Sequence, residues 1–262
     1  PDGTPGVTGD LAAANAGPEA APEVLVRLLG DIHIDGGDRL AAKPTAVIAY
    51  IALHRTVTVE RLADAVWALP PAGSRKRLSN TISDCRAALG HRYLPTAVDG
   101  RYSAGPGLGT DTDLFTRLVA RAATEPASDA AVTLRSALDL VTGPVFTYRH
   151  AERASFSWVD LENWASIWEL KIAAVAQDCA QLNLDLDRPA DAAAVAQHAL
   201  TIIPTHAGLT ETLMRAHAAA GDDHAVRRVY QAHLAALGAL DLDDPAETTT
   251  DLYEHLRRSS VA

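Results

Sequence analysis

The chain has 262 residues, 48% of them hydrophobic and 21% charged, with mean hydropathy near zero. It carries enough apolar material for a substantial core and too much for disorder throughout. The 51 alanines, set against 14 prolines, 17 glycines and 5% aromatic residues, favour closely packed helices over a sandwich or barrel. No apolar run approaches the roughly 18 residues that span a bilayer. Cys85 and Cys179, without CxxC spacing, exclude a disulfide framework and read as buried free thiols in a reducing compartment.

The net charge of −10 argues against a protein that binds nucleic acid with its whole surface, but the charge is segregated. Residues 1–22 form a Pro/Gly/Ala tract with acids and no bases, and read as a flexible linker within a longer protein. Residues 23–104 hold 11 Lys and Arg against 8 Asp and Glu, whereas 105–262 hold 12 against 22. The basic excess therefore lies in one domain.

In chain order, β-rich runs at 24–29 and 32–34 precede the Gly36-Gly37 turn and predict a small antiparallel sheet. Pro44 suits a first helical turn, and Val47, Ile48, Ile51 and Ala52 follow at helical spacing. Thr58 caps a second helix with Leu62, Ala65 and Val66 inward, which Pro70, Pro71 and Gly73 end. Ser74 caps a third, with Leu78, Ile82, Cys85 and Leu89 on one face and Gly90 closing it. The stretch LPTAVDGRYSAG predicts a hairpin around Asp99-Gly100, and GPGLG at 105–109 reads as the domain junction.

Beyond it the composition turns acidic and helical, with helices predicted at 113–123, 128–141 and 160–182 and shorter ones to the end. A weak repeat at an offset of about 34 residues, the tetratricopeptide period, aligns Val195 with Val229, Gln197 with Gln231 and Leu200 with Leu234.

Arg75, Lys76 and Arg77 occupy the first turn of the third helix, where the macrodipole makes each cation unfavourable by about 0.3–1 kcal/mol. An external anion would compensate them. The face opposite Leu78 and Ile82 offers Arg75, Lys76, Ser79, Asn80, Ser83 and Arg86, groups that bind phosphates or base edges, and the hairpin adds Arg101 and Tyr102. The short connection before this helix suits a helix-turn-helix, whose second helix enters the major groove.

The stretches KPTAVIAYIALH, VERLADAVW, RKRLSNTISDCRAALG and DGRYSAGPGLGTDTDLF, followed by GPVF, YRHAERASFSWVD, LTETLMRAHAAAGDDHAVRRVYQAHLAAL and DLDDPAETTTDLYEHL, run from Lys43 to Leu256, within a likeness that extends over the chain from about residue 24. Their order and spacing resemble the actinobacterial antibiotic-regulatory proteins, which join an OmpR-type winged helix to a bacterial transcriptional activator domain. The resemblance implies a mainly α chain: a winged helix-turn-helix domain over 23–108, followed by an all-helical, tetratricopeptide-like domain over 109–262. It implies an activator that reads promoter DNA as double strand, a homodimer, and contact with RNA polymerase. By position, Arg75, Lys76, Ser79, Asn80, Ser83 and Arg86 fall on the recognition helix and Arg101 on the wing, while Asp84 puts an acid in that helix, a departure from the pattern. A cytoplasmic location follows, although the family includes membrane-attached members that carry this domain pair.

Other readings are weaker. Ten histidines include no HExxH or paired His/Cys spacing, and no P-loop, GxGxxG or GxSxG occurs, so neither metal, cofactor nor enzymatic activity is expected. Trp158, Trp164 and Trp168 are expected to pack between helices. The alternative class is a scaffold that holds a protein or small ligand and whose winged helix no longer reads DNA.

Overall fold

The computed structural model describes residues 21–35, 40–67, 74–242 and 244–259. The linker reading for 1–20, the Gly36-Gly37 turn and the Pro70–Gly73 connection lie outside the described residues.

Strand β1 (Val24–Arg27) pairs antiparallel with β2 (His33–Ile34), as the sequence predicts. Helices α1 (Ala42–His54), α2 (Val59–Val66) and α3 (Ser74–Leu89) follow, with β3 (Thr56–Thr58) between the first two. The Thr58 hydroxyl accepts from the Arg61 N–H at 3.2 Å and so caps α2. Gly90, at φ 100°, takes the left-handed position that ends α3. Leu78, Ile82 and Cys85 are buried together, as their spacing requires.

The strand pairing departs from expectation in two places. The stretch at 94–98 forms no strand, and only a bridge between Val98 and Arg101 spans the turn at Asp99 and Gly100, both with positive φ. The Arg86 guanidinium donates to the Leu94 and Pro95 carbonyls, which a ladder would have needed. The partner of β4 (Arg101–Ser103) is β3, antiparallel and 43 to 47 residues away in register from Thr58↔Arg101 to Thr56↔Ser103. The stretch at 105–110 also holds β5 (Leu108–Thr110), a strand that was not expected, which lies parallel to β1 and gives the sheet order β2-β1-β5. A three-residue strand is too short for its alternation to register. Gly105 permits the return between β4 and β5, since a Cβ there would stand 1.9 Å from the Arg92 carbonyl oxygen.

Apart from an irregular stretch at 141–149 with a single bridge from Thr147 to Asp31, the regular structure of the remaining described chain is helical: α4 (Asp111–Ala122), α5 (Ala127–Leu138), α6 (Arg153–Leu161), α7 (Trp164–Asp185), α8 (Pro189–Leu200), α9 (Ala207–Ala219), α10 (Asp223–Ala239) and α11 (Glu247–Ser259). The single helix predicted at 160–182 is thus two, broken at Glu162 and at Asn163, which adopts the left-handed conformation at φ 56°, ψ 34°. Asn tolerates that region better than most residues. Helices α8 and α10 begin at Pro189 and Asp223, in step with the repeat, and Val195 and Val229 are both buried.

One hydrophobic core runs through both halves. Tyr50 of α1 is fully buried and meets the edge of Trp158 of α6, with ring centroids 5.3 Å apart. Trp158 and Trp168 are buried as expected, whereas Trp164 is half-buried. The backbone also joins the halves: Thr142 N–H donates to the Leu29 carbonyl, Phe146 to Leu28 and Thr147 to Gly30. At the start of α4, the buried Asp111 carboxylate accepts from the Leu28 and Leu29 N–H groups at 2.9–3.0 Å.

Two outcomes are expected. Asp111→Ala leaves two buried donors without an acceptor, a loss of about 2–4 kcal/mol read as a lower denaturant midpoint. Burial holds the His217 and His233 imidazoles below their ordinary value of 6.5. The folded chain therefore favours their neutral forms, and their contribution is complete above 6.5 and is lost as pH falls below it and the unfolded chain takes up protons first. Urea unfolding on either side of that pH should show this loss, and replacing both histidines by glutamine should flatten it.

Candidate nucleic-acid interface

Helix α3 is amphipathic with an unusual outer face. Its inner row, Leu78, Ile82, Cys85 and Leu89, packs on the helical layer formed with α1 and α2. At 100° per residue the opposite row is Lys76, Asn80, Ser83 and Ala87, at the same i, i+4, i+7, i+11 spacing, and all four are exposed. Arg77 and Asp84 flank this row on one side and Ser79 on the other, also exposed. The first turn contains no acid to offset Arg75, Lys76 and Arg77.

The nine residues singled out from the sequence therefore separate into groups. Among the described residues, no hydrogen bond or ion pair engages the side chains of Lys76, Arg77 or Asn80. The Ser83 hydroxyl donates to the Ser79 carbonyl at 3.0 Å and remains exposed as an acceptor. Arg75 leans toward α2 and pairs with Glu60 at 2.6 Å, but both side chains are more than half exposed, so solvent screens the pair. Arg86 is committed to its own fold: Nε and Nη2 donate to the Leu94 and Pro95 carbonyls, both at 2.8 Å, and the residue is half-buried.

The two ribbon residues part in the same way. Arg101 is exposed, whereas Tyr102, its neighbour on β4, is half-buried against the core. Consecutive strand residues point to opposite faces, so only Arg101 lies on the outer one.

Lys43 was missed by the sequence reading. It lies in the first turn of α1, over the Trp67 ring at 4.7 Å from the centroid. Burial, and then the repulsion of Arg77, lower its pKa from the ordinary lysine value. The signal was present: Lys43, like the α3 triplet, is a cation in a helical first turn without an acid beside it. Lys43 and Arg77 thus extend the positive patch from the start of α3 to the start of α1.

Elsewhere, no group of three or more His, Cys, Asp or Glu among the described residues is placed to hold a metal ion. No described helix is long and apolar enough to cross a membrane.

Comparison with known proteins bears on both halves. No curated protein matches the sequence. In solved structures the fold is similar to that of Mycobacterium tuberculosis EmbR, determined in complex with a low-affinity phosphopeptide, with a TM-score of 0.66 and 24% identity. The match covers 91% of this chain and 66% of that one, so this chain spans a little under two-thirds of the EmbR chain's length. The bacterial transcriptional activator domain family matches residues 110–257, from the last residue of β5 into α11. That match takes in more than half of the chain and the whole packed series α4 to α10, and on it the chain belongs to the bacterial transcriptional activator domain family.

Proposed function

We propose that this chain is a sequence-specific DNA-binding transcriptional activator in which residues 23–108 form a winged helix and 109–262 an activator domain. Helix α3 enters the major groove, with Lys76 and Arg77 on phosphates, Asn80 and Ser83 toward base edges, and Arg75 able to leave its exposed pair with Glu60. The β3–β4 ribbon serves as the wing, with Arg101 on the backbone or in the minor groove. Tyr102 supports the ribbon from the core side, and Arg86 fixes the turn after α3. The helical domain supplies dimerisation and a contact for RNA polymerase, and such a protein works in the cytoplasm without a catalytic step.

One observation carries the reading. The exposed row Lys76, Asn80, Ser83 is headed by three cations that destabilise their own helix end and have no acid in the first turn to balance them, in a chain of an activator family. The order β1-β2-α1-β3-α2-α3-β4, with β3 and β4 paired as a two-stranded ribbon, supports it. One weakly basic module gives modest specific affinity, which is why a dimer belongs to the reading.

The test is selection from a randomised duplex library with the purified chain, followed by salt titration of the enriched sequences. An enriched motif with a steep negative salt slope is expected, and Lys76→Ala should reduce that slope by about 0.9 for the lost phosphate contact. Arg86→Ala should lower the unfolding midpoint while leaving the slope unchanged, because its guanidinium is spent on the Leu94 and Pro95 carbonyls. Intact folding with no enrichment would overturn the reading and favour a scaffold.

A further inference from the structure

The most heavily engaged polar group in the described chain lies away from α3, at the break between α6 and α7. The Glu162 carboxylate receives four donors. Its Oε1 accepts from the Tyr50 hydroxyl at 2.7 Å and from Arg61 Nη2 at 3.3 Å. Its Oε2 accepts from the Trp164 indole at 2.8 Å and faces His54 Nε2 at 2.9 Å. Four donors match the lone-pair sites of a carboxylate.

The donors come from different elements: Tyr50 and His54 from α1, Arg61 from α2 and Trp164 from α7. They also brace one another. Arg61 Nε donates to the Tyr50 hydroxyl at 2.9 Å, and the His54 ring stacks on Tyr50 and meets the edge of Trp164. His54 Nδ1 lies 3.0 Å from the Tyr50 carbonyl, so both of its nitrogens face oxygen atoms of the cluster. The His54 side chain is 11% exposed and Glu162 27%. Burial pushes the Glu162 carboxyl up, but the donors together hold it below its ordinary value, while burial and then Glu162 push the Tyr50 hydroxyl up to about 12.

Packing gives this cluster leverage. Helix α2 rests on α6, and α3 in turn packs on both α1 and α2. Asn163, in the left-handed conformation, turns the chain so that Glu162 and Trp164 reach the same cluster from either side of the break.

We propose that Glu162 is a positioning residue: its carboxylate latches α1 and α2 to the α6–α7 elbow and so holds α3 at a fixed attitude on the activator domain. The consequence for DNA rests on the function proposed above, whereas the latch itself does not. The device couples the two halves in both directions, because any movement of the elbow must be taken up by α2 or break charge-assisted hydrogen bonds.

The experiment is amide hydrogen exchange on the whole chain without DNA, comparing the unaltered protein with Glu162→Gln, Tyr50→Phe and the double variant. Tyr50→Phe removes one hydroxyl and keeps the buried ring, so it tests the latch even if Glu162→Gln does not fold. We expect α2 amides to exchange about tenfold faster in each single variant, α8 and α9 to keep their rates, and the double variant to match the worse single one. Unchanged α2 exchange, equal acceleration of α8 and α9, or independent effects in the double variant would overturn the latch.

A second arm measures affinity for the selected duplex. Weakening of about tenfold at an unchanged salt slope is expected, since orientation and no phosphate contact is lost. Full affinity despite faster α2 exchange would overturn the positioning role. Should the unaltered chain select no duplex, the DNA reading falls by itself, and the exchange rates alone uphold or overturn the latch.

Discussion

Where β1 ends, the Leu28 and Leu29 N–H groups point inward with no strand to receive them, and one carboxylate from 82 residues further along the chain accepts both. Burial raises the pKa of Asp111 from its ordinary value, against the hydrogen bonds that favour its charged form. Such a group is retained in a core only where its partners are fixed. Its place is dictated by β5, which lies parallel to β1 and delivers the next residue, Asp111, to the strand's exit. The same turn is the start of α4, where a negative charge meets the favourable end of the helix dipole. One side chain thus closes the sheet, starts the helical domain and fixes the two to each other.

The rest of the join follows from that constraint. With β1 held against α4, residues 28–30 are positioned to take the N–H groups of 142, 146 and 147, and α6 is brought over Tyr50. The fully buried Tyr50 ring stands at the meeting point of the halves, and its hydroxyl opens onto the Glu162 cluster. Apolar burial brings the halves together. The polar cluster sets the angle between them, because hydrogen bonds are directional and apolar contact is not.

The outer face of α3 follows the opposite logic. Its inner row is fully consistent with a packed helix, while its first turn carries charges that oppose the dipole and have no acid beside them in that turn. Local conflicts of this kind mark positions kept for something other than stability. Within the same helix, Arg86 is absorbed by the fold and Arg75 is loosely paired, which leaves the row of Lys76, Asn80 and Ser83 as the part directed outward.

The sequence by itself determined the helices whose signals are local. Thr58 as a cap, Leu78, Ile82 and Cys85 as an inner row, Gly90 as a terminator and Asp99-Gly100 as a turn all act within a few residues, and each appears in the structure. The basic surface of α3 was legible for the same reason, since charge and helical period suffice to place it. Tertiary structure decided whatever depended on distant partners. Those are the pairing of β4 with β3, the third strand β5, the break at Glu162 and Asn163, the withdrawal of Arg86 and Tyr102 from the outer face, and the addition of Lys43. A three-residue strand or a single left-handed asparagine has too little local preference to announce itself, and is stable only through groups that the fold brings from far along the chain.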